Sequence, residues 1–359
     1  MRRNRPGAEK VNRPRFDRKD RAAVSALLRG ERPFGAEVKA FDEELARYLG
    51  KPWVETTVNA TMAYFMILKV LGVGPGDQVL VPAYTFISAA NIPVFLGAEP
   101  LFGDIAPGVP CLDPEEVVRK WTPRVKAVLF VSSFGHARGL GEIQAFCRGK
   151  GVPLIHDAAA SFGSMTPEGP LAAMGDYGFT SFHFKKIVSA FEGGALWGNG
   201  SPVPFQSLKN HGRGETYEEA GLNLRLSDLH AVLGRSQLSS LSRRLAARER
   251  IASWYEKSLA DVTPVTLPRF SRGIRPAWHQ MIILVDKKEP LKKFLEQNGI
   301  PVMEPAQYIP SHPLFQKESG YTPRALEYHQ KALALPFYEG LSRNEVRRIT
   351  RLIRSFFSQ

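Results

Sequence analysis

Between Trp53 and Trp197 the chain alternates short apolar runs with stretches of helical length and periodicity, and few folds satisfy that alternation. The runs at 54–58, 77–81, 99–102, 125–131, 153–155, 179–182 and 195–197 read as strands, and those at 61–71, 86–96 and 140–150 as helices. A helix between two strands cannot be a hairpin turn, so the strands it joins run parallel in one sheet. The run 125–131, VKAVLFV, is too uniformly apolar for a strand with a wet face. The expected fold class is therefore α/β, with a mainly parallel sheet covered by helices on both faces. Helices at 20–28 and 37–48 precede it. A long helical stretch at 227–259 follows, then a Pro-rich segment at 264–276, a strand at 280–285 and helices at 291–298 and 343–357. These predict a smaller C-terminal α+β domain, with residues 1–245 forming the large domain and 246–359 the small one.

Composition narrows the function. With 359 residues, 43% of them hydrophobic, the chain can bury a sizeable core, which argues against a disordered or fibrous protein. No apolar run reaches the ~18–20 residues that span a bilayer, so no membrane role is expected. No apolar stretch follows the basic N-terminus, so no secretory signal is expected either. Two cysteines, Cys111 and Cys147, provide neither a disulfide framework nor a zinc site, and a reducing cytoplasm fits them best. The net charge of +13 is concentrated toward both ends, from Arg2 to Arg21 and from Arg347 to Arg354. Solvated basic faces explain it, and such a surface also suits small anionic substrates. No helix-turn-helix or RNA-binding signature accompanies it, so nucleic acid is not an expected partner. His156, His183, His211 and His312 lack metal-ligand spacing, the serines at 236–242 read as helix surface, and no dinucleotide or Walker loop is present.

The chemistry-bearing residues lie at predicted strand ends. SFHFKK at 181–186 follows one strand and precedes a Glu-Gly-Gly turn; Asp157 ends the strand PLIHD. Ligands of open parallel sheets bind at such edges. An acid and a lysine at two of them are what pyridoxal phosphate requires, the acid for the pyridine nitrogen and the lysine for a Schiff base. VNATMA at 58–63 joins a strand to a helix, where backbone N–H groups and the Thr61 hydroxyl suit a phosphate; capping by Asn59 or Thr61 is the plain alternative. VPAYTF at 81–86 offers aromatic rings to a flat cofactor or to the core.

Together with PGDQVLVPAYTFISAAN, GAEPLFGDI, HDAAASFG, EGGALWGN, NHG, GLNLRLSDLHAVLGRSQL and LALPFYEGLS, these stretches resemble, in order and spacing, the DegT/DnrJ/StrS-type sugar aminotransferases. That family has the type I pyridoxal phosphate fold, and the resemblance covers about residues 20–350. It implies that Lys186, selected over Lys185 by the register from Ser181, forms the Schiff base, and that Asp157 pairs with the pyridine nitrogen. It further implies phosphate contacts from Ala60, Thr61 and Ser181, stacking by Phe86, and Asn223 reaching the phosphate of a neighbouring subunit in a homodimer with shared active sites. Arg225, Tyr308 and His312 are the substrate candidates. The implied reaction moves an amino group from L-glutamate through the pyridoxamine form to a keto group of a nucleotide-linked deoxy sugar. Ala60 stands where glycine is usual, Ala160 where Gln or His is usual, Phe191 where a small residue is usual and Glu304 where Arg is common. These departures leave open a cyclitol or other ketone as substrate, or an elimination. A non-enzymatic binding protein is the remaining alternative, against which Lys186, Asp157 and Ser181 stand together.

Overall fold

The computed structural model describes residues 11, 14–30, 33–214, 216, 219–316 and 321–358; the basic leader Arg2 to Lys10 and Arg13 lies outside them. Seven strands form the main sheet: β1 (Glu55–Thr57), β2 (Gln78–Pro82), β3 (Glu99–Gly103), β4 (Val125–Val131), β5 (Leu154–Asp157), β6 (Tyr177–Ser181) and β7 (Gly194–Gly198). Their order is β1-β7-β6-β5-β4-β2-β3. From β3 through β6 all neighbours are parallel, as the alternation predicts. β6–β7 and β7–β1 are antiparallel, because the connection from Ser181 to Gly194 contains no crossover helix and returns the chain beside its own strand.

The helix Ala60–Val70 is apolar nearly all round, and Ala63 to Leu68 are buried in it. Its buried side chains join Val79, Val81, Leu129, Ile155 and Phe179 in the largest core cluster. Leu80, Val128, Phe130 and Leu154 point to the other face, toward Ile143 and Cys147 of the helix Leu140–Lys150. Both sheet faces are thus covered, with alternate residues of each strand feeding alternate layers.

The predicted helix at 227–259 is two helices, Asp228–Ser239 and Leu241–Leu259. At the break, Ser239 Oγ donates to the Ser236 carbonyl at 2.7 Å and Ser240 Oγ to that of Gln237 at 3.1 Å, competing with the helix ladder. Nor is this serine run all surface. Ser236 is buried and donates to Asp20 at 2.7 Å, with Gln237 Nε2 2.9 Å from the same carboxylate, tying the N-terminal helix Arg18–Leu28 to the break. Three short helices, Pro114–Arg119, Val203–Lys209 and Pro323–Lys331, each with proline in the first turn, add to the expected elements. So does strand Ala332–Leu335, which pairs antiparallel with Met281–Leu284. In this pair Ile282 and Ala332 face the large core, while Met281, Ile283, Leu333 and Leu335 face Leu291, Leu295, Val346, Ile349 and Ile353.

Arg244 and Arg248 of the helix Leu241–Leu259 pair with Glu339 at 2.9 and 3.4 Å, all three side chains at most 8% exposed. Removing one partner of such a group leaves buried charge unbalanced. Glu339→Ala should therefore lower the unfolding free energy in urea by about 3–5 kcal/mol; a loss below about 1 kcal/mol, the range of an exposed pair, would contradict this account.

Candidate active site

β5 ends in Asp157, and the chain turns at once, so the carboxylate stands at the C-terminal edge of the sheet beside β6. Ala159 N–H donates to it at 2.8 Å. Desolvation raises its pKa to about 6, opposed by that hydrogen bond and by the charge of Lys186. Tyr64, buried and stacked on Phe179 at 5.3 Å, feels the Asp157 charge from the helix beneath. At the next edge β6 ends in Ser181, and the following loop returns Lys186 toward Asp157. Desolvation, with the neighbouring Lys185 charge, lowers the Lys186 pKa to about 8, and Asp157 partly opposes the shift. Ala159, Ala160, Ser181, Lys186 and His279 line one small recess of about 10 Å³.

A third component reaches the same place through glycine. Gly194 pairs with Ser181 on one side and Thr57 on the other. A Cβ at Gly194 would lie 2.4 Å from the Asn59 carbonyl carbon and 2.5 Å from Ala60 N, so only glycine lets β7 seat directly on the start of the helix Ala60–Val70. Asn59 is the cap, its side chain accepting from Met62 N–H at 2.9 Å. The N–H groups of Ala60 and Thr61 have no hydrogen-bond partner among the described residues, and both residues are part-exposed. Two free donors, the Thr61 hydroxyl and the nearby Ser181 hydroxyl compose an anion cradle at a helix N-terminus.

Phe86 sits beyond the end of β2 with 62% of its surface exposed, and the adjoining Ile87 N–H donates to Gln307 Oε1 at 3.0 Å. Gln307–Tyr308 pairs with Tyr84–Thr85, so a short two-strand ladder carries Tyr308 to this edge. Tyr308 bonds the Thr322 hydroxyl at 2.9 Å, and His312 is part-exposed on the next turn. Asn223 and Arg225 are not brought to Lys186 within one chain. They line a different groove with Phe34, Trp53 and Lys209, and Arg225 donates to Asn210 Oδ1 at 2.5 Å. Glu304 pairs with Lys288 at 3.4 Å, with His329 Nε2 3.6 Å away, and the ion pair with Lys288 explains an acid at this position. Phe191 occupies a left-handed turn at φ 66° and stacks on Phe16 at 4.9 Å. Ala160 presents only a methyl to the recess. Sequence reading missed Tyr64, Gln307 and His279. Tyr64 directly follows VNATMA and Gln307 directly precedes Tyr308, but neither residue type carries a local chemical signal there, and His279 is brought to Lys186 only by packing.

This donor set fits pyridoxal phosphate: a desolvated amine and a desolvated carboxylate that feel each other's charge, and open N–H and hydroxyl donors one strand away. A carboxylate pushed up to about 6 for want of compensating charge is what a protonated ring nitrogen would relieve. No group of three or more metal-ligating side chains occurs among the described residues.

The two shifts predict the pH response of the cofactor-free chain. Asp157 holds its proton more tightly folded, at about 6, than unfolded, at about 3.9, so its contribution to stability falls as pH rises through that interval. Lys186 holds its proton less tightly folded, at about 8, than unfolded, at about 10.4, so stability recovers above pH 8. Compared with the Asp157→Asn/Lys186→Met variant, the parent should lose urea stability between about pH 4 and 6, stay at its relative minimum from about pH 6 to 8, and recover above that. Parallel stability profiles for the two would show that the pair is not desolvated.

Comparison with known proteins gives consistent matches. The model of the DegT/DnrJ/EryC1/StrS aminotransferase family matches residues 14–354. The spore coat polysaccharide biosynthesis protein SpsC of Bacillus subtilis is 29% identical, with 89% of each chain covered. UDP-2-acetamido-2-deoxy-3-oxo-D-glucuronate aminotransferase of Pseudomonas aeruginosa is also 29% identical, covering 79% of this chain and 80% of that one. GDP-perosamine synthase of Vibrio cholerae is 28% identical over 90% and 92%. Among solved structures, a DegT DnrJ EryC1 StrS aminotransferase from Brucella abortus superposes with a TM-score of 0.88 at 30% identity, covering 95% and 96%. S. venezuelae DesV in complex with a ketimine intermediate superposes with a TM-score of 0.89 at 26% identity, covering 95% of each chain.

Proposed function

The chain belongs to the DegT/DnrJ/EryC1/StrS aminotransferase family, and from that premise we propose that it transfers an amino group from L-glutamate to the ketone of a nucleotide-linked deoxy sugar. It is a pyridoxal phosphate-dependent aminotransferase of the type I fold. The observation that carries the proposed roles is that the Asp157 carboxylate, closing β5, and the Lys186 amine, on the loop after the adjacent β6, are both desolvated and feel each other's charge. The relatives named for UDP- and GDP-linked sugar chemistry support the acceptor class, and the basic surface of a +13 chain suits a diphosphate-bearing substrate.

In this reading Lys186 Nζ anchors the cofactor covalently. As a free amine it would take the proton from the donor α-carbon and return one as acid. A pKa near 8 puts both protonation states within reach at neutral pH. Asp157 keeps the ring nitrogen protonated. Ala60 N–H, Thr61 and Ser181 would hold the phosphate, and Phe86 would pack on the ring. When bound, pyridoxal phosphate supplies the electron sink that makes the α-carbon acidic. Tyr308 and His312 approach from the small-domain side toward the acceptor. Asn223 reaches the site of a second copy in a homodimer, with Arg225 beside it. That assembly is supported by the exposed apolar residues around their groove, Phe34 at 94%, Leu222 at 49% and Leu229 at 46%. A cytoplasmic location agrees with two buried, unbridged cysteines, and no helix among the described residues is long and apolar enough to cross a membrane.

Addition of L-glutamate to the yellow protein should bleach its visible band and release 2-oxoglutarate; a band indifferent to L-glutamate but bleached by another amino acid would displace the donor assignment. Lys186→Ala should lower turnover by about 10²–10⁴-fold, and full activity in that variant would sink the proposal. The protein should sediment as a dimer, with Asn223→Ala weakening cofactor affinity about 10-fold, the loss of one good hydrogen bond. A fully active monomer would refute the shared site.

A further inference from the structure

Directly behind Asp157, His156 closes a buried hydrogen-bond chain to which none of the roles above appeals. Side chains alternate along β5. Asp157 faces the layer of Tyr64, while His156 turns to the opposite layer, edge-on to Phe130 with ring centroids 6.0 Å apart. His156 and Ser132 are completely buried. The imidazole Nδ1 lies 3.2 Å from the Met174 carbonyl oxygen, and Nε2 meets the Ser132 hydroxyl. A carbonyl only accepts, so Nδ1 carries the proton, and Nε2 accepts from Ser132 Oγ–H. Burial lowers the pKa of this ring to about 4, and the charge of Lys51 acts in the same direction, so the neutral tautomer holds across the working pH range. The chain continues through the backbone: Ser132 N–H donates to the Asp157 carbonyl at 3.2 Å. Its far end is also fixed. Gly175, at φ +91°, lies so close that a Cβ there would be 3.2 Å from the His156 Cβ, which holds the 174–175 turn against the ring.

We propose that His156 is a positioning residue for the aminotransferase reaction: by tying Ser132 to Met174 it pins the end of β5 and sets where the Asp157 carboxylate stands against the cofactor ring nitrogen. A phenylalanine or leucine would fill the same space without burying an imidazole and a hydroxyl, whose desolvation is offset only when both are bonded. What the polar pair adds over an apolar filler is direction: two fixed partners, one on the strand connection that bonds Asp157 and one on the turn leading into β6. The inference rests on the role given to Asp157 above.

The test uses the full chain loaded with pyridoxal phosphate and carrying Ser132→Ala, His156→Asn or both. Ser132→Ala removes a single oxygen, the smallest change that cuts the chain, and His156→Asn retains a donor toward Met174. Three quantities are read: the cofactor dissociation constant, the midpoint of the pH titration of the visible band, and the urea midpoint. Each single variant should weaken cofactor binding about 10-fold, one buried hydrogen bond's worth, and move the band's pH midpoint by about half a unit or more. The double variant should be little worse than either single one, because both cut one chain. Parental affinity and an unmoved pH midpoint in both single variants would overturn the proposal, whatever the urea midpoint does, and leave His156 a packing residue. Asp157→Asn, measured alongside, separates the two levels: if that variant also binds and titrates like the parent, the role of Asp157 itself is wrong.

Discussion

The site depends on two opposite charges held partly out of water at adjacent strand ends. Asp157 closes β5 and Lys186 follows β6, and the parallel register that pairs Asp157 with Phe179 makes the two ends neighbours. Desolvation drives the two pKa values toward each other, to about 6 and about 8, and each charge partly restrains the shift of the other. Such a pair is poorly stabilised by the fold alone. Its electrostatic deficit is the kind a cationic ring nitrogen and a covalently engaged amine would remove, so local instability and cofactor affinity have one origin.

The remainder of the architecture fixes those two ends. Gly194 allows β7 to touch the Asn59–Ala60 peptide, which brings a helix N-terminus with free donors to the strand that ends in Ser181. The chain's departure from parallel order at β7 is therefore functional in consequence: a crossover helix after Ser181 would have carried Lys186 away from the edge. The small sheet of Met281–Leu284 and Ala332–Leu335 sends alternate residues into two cores, so the C-terminal region shares the large core as well as having its own. The short Tyr84–Tyr308 ladder then places C-terminal residues over the same edge that carries Phe86.

Much of this was legible in the sequence because its signals are local. Apolar runs such as 125–131 mark buried parallel strands, and the helices 140–150 and 343–357 appear within the bounds their periodicity gives. Lys186, Asp157 and Ser181 stand at strand ends, where residue type and position together carry chemical meaning. Elements were missed where local signal was thin. Pro323–Lys331 starts with a proline next to a turn, and Ala332–Leu335 is four residues of small and apolar type that suit a helix equally well. The Ser236–Ser240 stretch read as surface because its buried partner, Asp20, is more than two hundred residues away.

By itself the sequence determined the order of strands and helices along the chain, the sheet class, and the acid, lysine and hydroxyls that compose the chemistry, because periodicity and residue type act over a few neighbouring positions. Only the tertiary structure decided which strands adjoin, and hence that Asp157 and Lys186 are buried within reach of each other's charge while Asn223 and Arg225 line a separate groove. It also decided that His156 lies in the core, bonded to Ser132 and Met174, rather than facing solvent. Burial and the resulting pKa shifts arise from atoms distant in sequence, and only close packing of the whole chain assembles them.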